Sequence, residues 1–172
     1  MTSQNPSPMA DSTRSHVRIP QEPYAGIRFA IGGLFSQPVD VFVPRKVQRK
    51  TRVNLLIHFH GADFVLQHAV SEAGDVFIAA AINLGSGSKV YADAFDDPDK
   101  FSLLLESIRT EASNRLGHDV VIEKVTLSGF SAGYGAIRKI LQSQADYERV
   151  GSVILLDGLH AGYVPEGRVL YE

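Results

Sequence analysis

The apolar positions of this chain fall into short unbroken runs, and between the runs lie stretches whose apolar residues recur at helical spacing. Residues 27–31 and 39–43 are two strand-length runs punctuated by Gly32-Gly33 and Gln37-Pro38, which predicts an antiparallel opening pair. Residues 53–59 form a strongly apolar strand that runs into His60-Gly61. Asp63 is placed to cap a helix over residues 64–73, with Gly74 as its stop. Residues 76–82 are apolar without alternation, the pattern of a strand buried on both faces of a parallel sheet. A Gly/Ser/Asp-rich loop is expected over 84–97. Asp97-Pro98 then supplies an N-cap and an N1 proline for a helix with Phe101, Leu104, Leu105, Ile108 and Ala112 on one face and Gly117 at its end. Residues 124–128 and 152–156 are two more strands. Between them Gly133, Ile137, Ile140 and Leu141 share a helical face. Residues 164–172 carry no clear element, and no internal repeat is present.

Two strands followed by alternating strands and helices predict an α/β fold: three layers, with a mostly parallel sheet between flanking helices. Function in such folds gathers at the C-terminal ends of the parallel strands. His60-Gly61, Asn83, Ser131 and Asp157 all fall at those ends, so they are expected along one rim of the sheet.

Composition narrows the field only a little. The 172 residues suit one domain of ordinary size, read as a disordered polar tail over 1–20 and a folded domain over 21–172. A net charge of −2 gives no electrostatic reason to expect nucleic acid or an anionic membrane as partner. With 0 cysteines, a thiol nucleophile, disulfides and thiolate metal sites are excluded. No apolar run reaches the length of a membrane span, and residues 1–15 lack the apolar core of a signal peptide, which makes the cytoplasm the default location.

The chemistry is concentrated in Gly129-Phe130-Ser131-Ala132-Gly133, which matches G-x-S-x-G. A serine on a sharp strand-to-helix turn sits in strained backbone, and glycine two residues to either side removes the side chains that would collide there. The result is an exposed hydroxyl at a helix start, where the dipole and free N–H groups favour developing negative charge.

With that turn and the strand Leu55-Leu56-Ile57-His58-Phe59-His60-Gly61, the chain resembles the α/β-hydrolases over roughly residues 27–160. In that family the third strand ends in an oxyanion loop, often His-Gly, and the fifth ends in the nucleophile elbow. The resemblance implies a serine hydrolase that needs no metal and no cofactor, with a small-molecule carboxylic ester as substrate. Ser131 would attack the ester carbonyl. The backbone N–H of Ala132 and one near Gly61 or Ala62 would form the oxyanion hole. Triad order is nucleophile, acid, histidine, which makes Asp157 the candidate acid and His160 the one histidine after it. These two are only three positions apart, and the family's sheet continues beyond the sixth strand. The expectation is therefore a chain short of the family's last strands and usual histidine, with weak or no turnover. Its last strand would be an exposed apolar edge open to self-association. The 84–97 loop would overhang the site and shape its pocket.

Three rival readings exist. Gly129, Gly133 and Gly135 also fit the glycine spacing of short-chain dehydrogenases, with Asp157 on a ribose; but 128 residues precede that motif, which normally opens its fold. His58-x-His60 near Asp63 resembles a metal pair, yet no further ligand cluster accompanies it; the plainer reading has His58 packed in the sheet and His60 bracing the loop. The third is a hydrolase-like remnant or binding module without catalysis. Tyr91 and Tyr134 are read as pocket or packing residues.

Overall fold

The computed structural model describes residues 23–74, 76–158, 162–163 and 169–170; the polar tail expected over 1–20 and His160 lie outside the described residues. The strands are β1 (Gly26–Ile31), β2 (Val39–Pro44), β3 (Arg52–Phe59), β4 (Phe77–Ile82), β5 (Val121–Phe130) and β6 (Val150–Leu156). The helices are α1 (Asp63–Glu72), α2 (Ser88–Asp93), α3 (Lys100–Leu116), α4 (Tyr134–Leu141) and α5 (Gln144–Tyr147). A two-residue hairpin, β7 (Gly162–Tyr163) with β8 (Val169–Leu170), forms a separate sheet.

The main sheet has the order β1-β2-β4-β3-β5-β6. β1 pairs antiparallel with β2, as the opening runs predict, and β2 pairs antiparallel with β4 as well; β4, β3, β5 and β6 are parallel. Side-chain alternation sorts each strand between two layers. Val53, Leu55, Ile57 and Phe59 of β3 enter the larger core together with Phe101, Leu104, Ile108 and Ala112 of α3 and Ala136, Ile137 and Ile140 of α4. The opposite face is thinner: Leu66 and Val70 of α1 pack on Phe42, Ala79 and Ala81. β4 serves both layers, with Ile78, Ala80 and Ile82 on one side and Ala79 and Ala81 on the other, which explains its unbroken apolar run.

Helix ends differ from the expectation at three places. Asp63 is the first residue of α1, not its cap; Ala62 holds the N-cap, and Asp63 instead accepts from the Gln67 side chain. That helix leaves through Ala73 in extended backbone, so Gly74 is not a left-handed stop. The α3 helix starts at Lys100, because Asp97 is used in a turn ahead of it, accepting from Asp99 through its carboxylate and from Lys100 through its carbonyl. Gly117 closes α3 in the left-handed region as predicted.

β6 is an edge strand of the sheet. Val153, Ile154, Leu155 and Leu156 are 38–48% exposed, so among the described residues neither face of this apolar edge is fully covered. No helix among the described residues is long and apolar enough to cross a membrane.

Candidate active site

The parallel registers build the rim. Phe59 pairs with Gly129, Gly129 with Leu155, and Phe130 with Leu156. β3, β5 and β6 therefore end side by side, and the first residue past each is His60, Ser131 and Asp157. These three are the non-glycine residues with positive φ among those described, at 64°, 43° and 51°. Each such residue costs on the order of 1–3 kcal/mol and persists only where its surroundings over-determine it. Their alignment on three neighbouring strand ends marks the place where this fold spends stability.

Ser131 opens a 3-10 turn, Ser131–Gly133, that leads from β5 straight into α4. Both flanking glycines are crowded, Gly129 partly by the turn itself as expected and Gly133 by the chain beyond it. A Cβ on Gly133 would stand 2.2 Å from the carbonyl oxygen of Phe59 on β3, and one on Gly129 would stand 3.0 Å from the carbonyl carbon of Gly133 and from Ile137 Cδ1. Gly133 is what lets the serine turn sit against the end of β3. The Ala132 N–H lies in the first turn of this helical run, where N–H groups lack intrahelical acceptors. Gly135 is crowded by chain as well: its Cβ would meet the Ser88 carbonyl oxygen at 2.1 Å. The backbone that closes on Gly133 and Gly135 is the protein's own, which accounts for the glycine spacing without a dinucleotide.

Beyond β3 the ladder to β4 continues past the strand. The His60 N–H donates to the Ile82 carbonyl at 3.1 Å. The next rung is made by a side chain: the Gly61 N–H donates to Asn83 Oδ1 at 2.9 Å, and Asn83 Nδ2 donates to the Gly61 carbonyl at 2.8 Å. This corrects the expectation for Gly61, whose N–H is already engaged. The other candidate in that loop, Ala62, holds the N-cap of α1.

The two loop histidines take separate partners. His58 is buried with Nδ1 3.0 Å from Ser128 Oγ, and burial, followed by the nearby His60, holds its pKa down at about 4. His60 places Nδ1 2.9 Å from the Tyr91 hydroxyl, and its ring stacks on Phe130 at 6.2 Å with 7° between the planes. Burial lowers its pKa, partly offset by the Gly85 backbone, so both rings are mainly neutral at pH 7. Positive φ at His60 takes it out of the strand alternation that would align it with His58. Among the described residues, no group of three His, Cys, Asp or Glu could hold a metal ion.

The largest departure from the sequence reading is the 84–97 segment. It contains α2, and Tyr91 of that helix is a fully buried packing residue, the second of the two readings given for it. Its hydroxyl accepts from the Leu84 N–H at 3.1 Å, donates to the Gly85 carbonyl at 3.2 Å and hydrogen-bonds His60 Nδ1. A Lys139–Asp96 ion pair of 2.7 Å adds a tie between the end of this segment and α4. The segment is thus a packed brace beside the serine turn, not an overhanging flap. Asp157, exposed, stands on the rim two strand ends from His60.

No family model matches the sequence, and no curated protein matches it. Solved structures do. An esterase from the fungus Rhizomucor miehei aligns with a TM-score of 0.54 at 13% identity, over 88% of this chain and 49% of that one. Esterase B from Lactobacillus rhamnosis HN001 aligns with a TM-score of 0.50 at 15% identity, over 80% of this chain and 49% of that one. The chain spans about half the length of these relatives.

Proposed function

From an α/β-hydrolase fold with a strained serine where β5 meets α4, we propose that this chain is a serine hydrolase of carboxylic esters. Ser131 is the nucleophile. Its attack on the ester carbonyl creates an oxyanion that the N–H groups of Ala132 and Ala62 receive, one from the start of the α4 turn and one from the start of α1. Asp157 is the acid. His160 is the base that chain order offers. The observation that carries this reading is the row of three positive-φ residues on adjacent strand ends, with Ser131 in the middle.

A fluorophosphonate probe tests it directly. The folded chain is expected to label at Ser131, and Ser131→Ala is expected to abolish both labelling and hydrolysis of p-nitrophenyl esters. EDTA is expected to leave turnover unchanged. His160→Ala lowers turnover on the order of 10²-fold or more if it is the base, and leaves it unaltered if it is not. Intact, folded protein that fails to label refutes the reading.

A further inference from the structure

We infer that Asn83 is a positioning residue that presets the oxyanion loop, an inference that rests on the serine-hydrolase reading above. Gly61 lies beyond the last backbone rung between β3 and β4, where loop peptides are ordinarily free to rotate. The Asn83 amide replaces the missing rung in both directions at once, accepting from the Gly61 N–H and donating to the Gly61 carbonyl. With both polar groups of Gly61 held, the orientation of the peptides on either side is set. The Gly61 N–H is withdrawn from the site, and the donor role passes to the Ala62 N–H.

The residues around Asn83 show why it can hold this position. Its neighbour Leu84 is anchored by an N–H···O bond to the Tyr91 hydroxyl, and the same hydroxyl hydrogen-bonds His60 Nδ1 on the other side of the loop. Both chain segments that carry the clamp are thereby tied to one buried tyrosine. Tightness on the far side comes from His58: a Cβ at Gly61 would stand 2.2 Å from His58 Nε2, so the loop rests directly on that ring. The loop is fixed from β4, from α2 and from below before any ester arrives. A preset donor avoids reorganisation during the reaction, which is where oxyanion stabilisation gains its size.

Asn83→Ala removes both bonds, and Asn83→Asp keeps the acceptor but sets a carboxylate against the Gly61 carbonyl. A protonated carboxyl at 83 can again accept from N–H and donate to C=O, as the amide does. The experiment measures the fluorophosphonate labelling rate per titratable site, together with kcat and KM for p-nitrophenyl acetate. Asn83→Ala is expected to slow labelling per site and kcat by about 10- to 100-fold, less than the 10²–10³ of losing a donor outright, with KM nearly unchanged. For Asn83→Asp, the ratio of its rate to the wild-type rate is expected to climb toward one as pH falls and the carboxyl takes its proton. A merely structural role would reduce the number of labelled sites without altering the rate at each, and would show no such pH-dependent ratio. If Asn83→Ala does not fold, the Asn83→Asp pH ratio decides. Wild-type protein that fails to label overturns the serine-hydrolase reading and this inference with it. Wild-type that labels while both variants react at the wild-type rate per site overturns the role of Asn83 alone.

Discussion

Acid should destabilise this protein through one identifiable ring. His58 is 9% exposed, its Nδ1 lies on Ser128 Oγ, and Gly61 closes over its Nε2, so a proton gained there finds no water. Burial first, and then the proximity of His60, hold its pKa at about 4, against 6.5 in an unfolded chain. Between those values the unfolded state binds a proton that the folded state refuses. The folded state is therefore favoured fully above pH 6.5, loses ground as pH falls, and loses no more from this group below about 4. At about 1.4 kcal/mol per pH unit the whole interval is worth about 3 kcal/mol, of which about 2 appears between pH 7 and pH 5. The assay is urea denaturation of wild type and His58→Gln at pH 7, 6 and 5. The difference between the two proteins cancels the carboxylates and His60, which both chains share. His58→Gln is expected to start less stable at pH 7, having lost a fitted ring, and to close on or overtake wild type by about 2 kcal/mol as pH drops. A difference that stays constant with pH refutes the reasoning, because it means that the ring is either protonated or hydrated in the folded state.

Two further outcomes are expected. Gly133→Ala should cost about 3 kcal/mol or more, since its Cβ meets the Phe59 carbonyl, while Gly129→Ala should cost about 1, the two spanning the usual range for overpacking; equal shifts in thermal melting would contradict the contact geometry. The exposed edge at β6 should make the chain self-associate with rising concentration in sedimentation velocity, with Ile154→Lys weakening the association; a wild-type monomer across the micromolar range would count against it.

The fold was legible because its parallel strands are unbroken apolar runs and its longest helix has a full stripe, Phe101 to Ala112. The rim was legible for the same reason, since strand ends follow from strands. What escaped was whatever depends on contacts distant in sequence. α2 has six residues behind Gly85-Ser86-Gly87, too few for a helical period, and it forms because Tyr91 finds His60, Leu84 and Gly85 for its hydroxyl. The need for Gly133 was foreseen from the turn alone, whereas the atom that enforces it belongs to Phe59, seventy-four positions earlier in the chain. Asn83 was visible as a strand-end residue, but nothing in its neighbours announces a bond to Gly61. The clue that existed was chemical: a side-chain amide can stand in for a peptide wherever a ladder runs out.

The two layers of the sheet are unequal, and the two halves of the rim rest on different ones. The serine turn continues into α4, which is rooted in the larger core through Ala136, Ile137 and Ile140. The loop at Gly61 and Ala62 continues into α1, which buries only Leu66 and Val70. Helices with so little buried surface detach as cooperative units well below the free energy of global unfolding. Release of α1 would carry Ala62 away while leaving Ser131 in place. On the serine-hydrolase proposal, the protein can thus pass through a state that is folded by most measures yet has half a site, and on warming it should lose turnover of p-nitrophenyl esters before its secondary structure.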